Sequence, residues 1–167
     1  RPQMNSHHPA VDPLTGAAIG AVPCRATTSS GQTLPSLNLM RAFVLTGPDT
    51  CSASEAIING LRGVGIDVIQ VGSTTCGKPY GFYPQDNCGT TYFSIEFRGV
   101  NAVNFGDYTD GFSPNNSLTP TNAQLPGCAV ADDFTHALGD PAEARLAAAL
   151  TYRATSSCPA ASSFAPA

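Results

Sequence analysis

The sequence predicts an α/β domain: a βαβ unit, then β-hairpin strands and a C-terminal helix. Two short apolar runs, Met40 to Thr46 and Ile66 to Val71, flank one amphipathic stretch, Thr90 to Phe97 alternates with period 2, and leucines recur at helical spacing after Asp140-Pro141. Strand, helix and strand in so short a span imply parallel strands joined by a right-handed crossover.

Residues 1–38 include five prolines and the polar stretch Thr27 to Gly31 without a sustained period, and are expected to be an irregular lead-in belonging to a larger core. The core is expected over 39–153 and a flexible tail over 154–167, rich in Ser, Ala and Pro. Met40 to Thr46 reads as a buried strand ended by Gly47-Pro48-Asp49. Ser52-Ala53-Ser54-Glu55 is an S-x-x-E capping box, followed by Ile57, Leu61 and Val64 on one helical face, with Gly63 and Gly65 as the stop. Ile66 to Val71 is the second buried strand, and Gly99 to Phe105 is expected to pair with the aromatic-rich Thr90 to Phe97. Residues 107–128 read as loop; Asp140 to Glu143 then open a helix through Arg153 with Leu146 and Leu150 on one face.

Only 12% of the 167 residues are charged, and the net charge is -4. That low share argues against charge-driven disorder, and the sign leaves no footprint for nucleic acid. The six cysteines (24, 51, 76, 88, 128, 158) include no C-x-x-C pair, and His7, His8 and His136 lack ligand spacing, so neither a metal nor a cofactor is expected. An even cysteine count in a lysine-poor chain reads as disulfides and an exported protein, periplasmic or extracellular. Fifteen pairings are open. The expected set is Cys76 to Cys88 across a turn-rich segment, Cys128 to Cys158 around the last helix, and Cys24 to Cys51.

Two clusters can carry chemistry. Ser52 and Ser54 open a helix directly after a strand, where backbone N–H groups are free and a nucleophile is exposed, although capping alone also accounts for them. Gly72 to Lys78 spells G-x-x-x-x-G-K, a phosphate-loop pattern, but Pro79 stands where magnesium needs Ser or Thr and no helix period follows. Ser52 and Lys78 instead follow adjacent strands of one βαβ unit, at the same carboxyl edge of a parallel sheet. A lysine base must be neutral, which burial favours; Arg cannot serve, and this chain holds seven Arg and the single Lys78. A solvated lone lysine is the plain alternative.

Thr50-Cys51-Ser52-Ala53-Ser54-Glu55, followed by Gly72-Ser73-Thr74-Thr75-Cys76-Gly77-Lys78, resembles the T-x-S-A-S-E and G-x-x-T-x-G-K signatures of the C-terminal processing peptidases, or tail-specific proteases. Asp110 to Asn115 is similar to that family's G-I-x-P-D-type element. The resemblance covers roughly residues 39–115; Gly63 stands where some members have an acidic residue, and the upstream D-x-R-x-N-x-G-G element and a PDZ module are absent from this sequence. It implies a partial ClpP/crotonase-like ββα superhelix and a serine-type endopeptidase working by a Ser-Lys dyad. Ser52 would be the nucleophile, Lys78 the base, Ala53 N–H an oxyanion donor and Glu55 either a cap or a group orienting the site. Cys51 and Cys76 flank the candidates and, as disulfide-forming residues, are poor nucleophiles.

The expected partners are a polypeptide substrate and the upstream part of the same protein, which would include any envelope anchor. Without that part the isolated chain is expected to self-associate and to be nearly inactive, lacking one oxyanion donor. A non-catalytic peptide-binding module on the same fold, and a disulfide-stapled surface domain, are the rival readings.

Overall fold

A central strand covered on both faces reads as a nearly continuous apolar run, and Val68-Ile69-Gln70-Val71 is one. In the computed structural model, which describes residues 2–4, 32 and 37–160, the chain runs through β1 (Pro2–Met4), β2 (Arg41–Thr46), α1 (Ala53–Gly63) and β3 (Asp67–Gly72). It continues through β4 (Tyr80–Gly81), β5 (Gln85–Asn87), β6 (Thr90–Tyr92), β7 (Phe97–Gly99), β8 (Phe112–Pro114), β9 (Ala123–Leu125), β10 (Gly127–Ala129) and α2 (Ala144–Thr155). The rest of the lead-in, Cys24 included, and tail residues 161–167 lie outside the described residues.

The order β10-β3-β2 forms a parallel sheet, with Thr46 opposite Gly72 and Cys128 opposite Val71. Alternation sorts β3 between two cores. Val68 packs with Ile58, Tyr108, Phe112 and Leu125 on the α1 side, while Ile69 and Val71 pack with Cys128, Ala148 and Ala149 on the α2 side. Burying each such aliphatic side chain contributes about 1.5–3 kcal/mol.

Several expectations are corrected. Ile57 and Val64 are 62% and 65% exposed, and α1 turns Glu55, Ile58 and Asn59 inward. Asn59 is tolerated there because its Nδ2 donates to Phe105 O and its Oδ1 accepts from Asn101 Nδ2. Thr90 to Phe97 is not one strand: β6 folds back on β5 through Cys88-Gly89, both at positive φ, while β7 pairs with β1 and β4. Gly99 to Phe105 does not pair as a hairpin, because Asn101 Oδ1 accepts from Val103 N and Phe105 N and curls the chain.

Residues 107–128 hold β8, β9 and β10 rather than loop alone; three-residue strands are too short to show a period, and their partners are distant or parallel. Helix α2 starts later than expected, at Ala144, because the Glu143 carboxylate caps it, accepting from Arg145 N and Leu146 N. Its buried residues are Ala148 and Ala149, and Leu150 is exposed.

Candidate active site

Strands β2 and β3 end side by side, so the segments leaving them start at one sheet edge. After β2 the chain turns, Thr50 N donating to Gly47 O at 3.0 Å and Gly47 N to Thr50 Oγ1 at 2.9 Å. Ser52 follows with φ 52° and ψ -105°, a conformation that costs a non-glycine residue energy, and its side chain is exposed. Ala53 N–H, at the start of α1, has no hydrogen-bond acceptor among the described residues.

Glu55 organises the rest. It is fully buried, and its carboxylate accepts four hydrogen bonds: Ser52 N (2.9 Å) and Lys78 N (2.8 Å) on Oε2, Gly77 N (2.7 Å) and Thr75 Oγ1 (2.6 Å) on Oε1. A buried charge persists only when so satisfied. The N–H half of the capping box is therefore present, and the same carboxylate ties the serine segment to the lysine segment.

Thr75 extends the network to the third motif. Its Oγ1 accepts from Phe112 N at 2.8 Å, and its N–H donates to Phe112 O at 2.9 Å. The approach is close enough to demand glycine: a Cβ on Gly77 would strike Thr109 O, and one on Gly111 would strike Thr75 O, both residues having φ near +80°. Below, Gln70 Nε2 donates to Ser73 O and Phe112 O. Burial, and then the Glu55 charge, push the nearby Tyr108 phenol upward.

A disulfide joins Cys51, one residue before Ser52, to Cys76, two before Lys78, with Cα atoms 5.3 Å apart; Cys76 N also donates to Thr50 O at 3.1 Å. This replaces both the expected Cys76 to Cys88 and Cys24 to Cys51 pairings. Cys88 sits exposed and free on the β5–β6 turn, whereas Cys51 and Cys76 leave neighbouring parallel strands. Cys128 and Cys158 are bonded, with Cα atoms 5.5 Å apart. Thr75 and the Cys51–Cys76 bond were missed as site features in the sequence, although both cysteines follow the ends of the βαβ strands. Lys78 itself is exposed, and the apolar enclosure expected for it is not formed by the described residues. Among those residues there is no cluster suited to a metal ion.

No family model matches the chain. No curated protein matches it either. Among solved structures, the chain is similar to a Bacteroides fragilis protein named "Putative S41 protease", at 25% identity and a TM-score of 0.58 over 77% of this chain. The chain spans 30% of that protein's length. The likeness is one of a mixed α/β fold. Two disulfides suit an exported protein, and no described helix is long and apolar enough to cross a membrane.

Proposed function

We propose that the chain is part of an exported serine-type endopeptidase of the C-terminal processing kind, on a ClpP/crotonase-like core, with Ser52 and Lys78 as its dyad. Ser52 Oγ attacks a peptide carbonyl and Lys78 takes its proton. The tetrahedral oxyanion is held by Ala53 N–H, and Lys78 then protonates the departing amine, leaving an acyl-serine for water to hydrolyse. The carrying observation is the shared acceptor: Ser52 N and Lys78 N both donate to Glu55 Oε2. Likeness to a protein named as an S41 protease supports the same reading. The substrate is a polypeptide, and the remaining part of the same protein completes the site.

A second reading, a non-catalytic peptide-binding module on the same fold, is favoured by the exposure of Lys78. A fluorophosphonate probe separates the two in the complete protein. The peptidase reading expects covalent labelling at Ser52, abolished in Ser52→Ala and reduced at least a hundredfold in Lys78→Ala; an unlabelled Ser52 favours the binding module.

A further inference from the structure

A cavity of about 400 Å³ lies between the end of β2 and the start of α2, lined by Leu45, Phe134, Leu138, Arg145 and the Asp133–His136 pair. Its loop follows β10, so it starts from the same carboxyl edge of the parallel sheet as the segments bearing Ser52 and Lys78. Its Arg145 wall is continuous with the serine segment: a Cβ on Gly47, which opens the turn leading to Ser52, would stand 3.7 Å from the guanidinium.

The basic groups on the walls are already paired with acids. Arg145 Nη1 pairs with Asp132 Oδ2 at 3.0 Å, His136 Nδ1 meets Asp133 Oδ2 at 2.6 Å, and Glu143 caps α2. What remains uncovered is apolar surface. Phe134 and Leu138 are 91% and 97% exposed. Large apolar side chains left open beside a cavity ask for an apolar occupant.

We infer that this cavity is a substrate subsite that takes a large apolar side chain of the polypeptide. The inference rests on the peptidase reading for its substrate class and names the wall that selects it. An acidic side chain would face Asp132, Asp133 and Glu143 with both basic groups already paired, and a glycine would leave the cavity unfilled.

The test is equilibrium binding of fluorescein-labelled hexapeptides, identical except for Leu, Phe, Gly or Asp at one scanned position, to the complete protein carrying Ser52→Ala. At one position Leu and Phe should bind at least about tenfold more tightly than Gly or Asp. Leu138→Asp, an exposed change that leaves the fold intact, should erase that preference, whereas Leu138→Met should retain it. Fluorophosphonate labelling of Ser52 in the otherwise unmodified complete protein is read in parallel. Labelling without any Leu or Phe preference, or a preference untouched by Leu138→Asp, overturns the subsite; absence of labelling removes the peptidase reading independently of the binding result.

Discussion

Ser52 and Lys78 present their backbone N–H groups to one oxygen atom, Glu55 Oε2, at 2.9 and 2.8 Å. Those two bonds set 5.7 Å, the sum of 2.9 and 2.8 Å, as the upper limit on the separation of the two nitrogens, although the residues are 26 positions apart in the sequence. A fully buried carboxylate with four donors is a rigid junction, because removing any acceptor leaves a desolvated N–H or hydroxyl behind.

Glu55→Gln tests that junction. An amide supplies one acceptor oxygen and turns an NH2 group toward two donors, so it should destabilise the fold by about 3–5 kcal/mol, as for other buried charge networks broken on one side. In enough stabilising osmolyte to keep the variant folded, kcat should fall at least tenfold with KM little changed. Denaturant unfolding and steady-state kinetics check the two parts; wild-type values in both would make Glu55 dispensable.

The Cys51–Cys76 bond should act as a second clasp on the same pair of segments. Closing a loop of this separation, 25 residues, is worth about 3–4 kcal/mol on the chain-entropy account. Cys51→Ser with Cys76→Ser should therefore lower stability by that order. Mass mapping of unreduced protein under acid conditions should return Cys51 with Cys76 and Cys128 with Cys158, and native alkylation should mark Cys88; a Cys76–Cys88 peptide would refute the assignment.

Gly77→Ala should cost more than a glycine change on an open loop. Its φ of +79° is unfavourable for an L side chain, and the new methyl would meet Thr109 O. A loss of about 2 kcal/mol or more is expected. Gly89→Ala, also at positive φ but with open space around it, is the control and should cost less. Equal losses in thermal unfolding would show that the close approach to Thr109 contributes nothing.

The Asp133–His136 pair gives the cavity loop a pH dependence. The hydrogen bond that the His136 ring donates to Asp133, and then the Asp133 charge, raise His136 above the ordinary histidine value, so the stabilisation is complete below about pH 6.5 and is lost as pH climbs through the higher folded value. Asp133 is held below its usual range, first by the Thr135 hydroxyl and N–H and then by His136, so its contribution is present above about pH 3.9 and fades as pH falls. An NMR titration of the His136 ring should give a midpoint above 6.5 that drops in Asp133→Asn; an unmoved midpoint contradicts the pairing.

What could be read in the sequence was what local pattern encodes. The S-x-x-E box, the two apolar runs and the short link between them were enough to put Ser52 and Lys78 at one sheet edge. The inward face of α1 was misread because Glu55 and Asn59 are buried by hydrogen bonds to distant loops, which no hydropathy period reports. Strands β8, β9 and β10 were missed because each has three residues and gains its burial through Phe112, Leu125 and Cys128 in tertiary contact. The Cys51–Cys76 pairing required the parallel register, not the sequence interval.

The most direct test of the account is peptide hydrolysis by the complete protein carrying Lys78→Arg. A lysine base works only in its neutral form, so wild-type kcat/KM should rise with pH, and an arginine that keeps its proton should reduce hydrolysis below a hundredth of wild type at every pH while leaving unfolding unchanged. Hydrolysis by the Lys78→Arg protein at a rate near wild type, verified to require Ser52, would contradict a Ser52–Lys78 dyad.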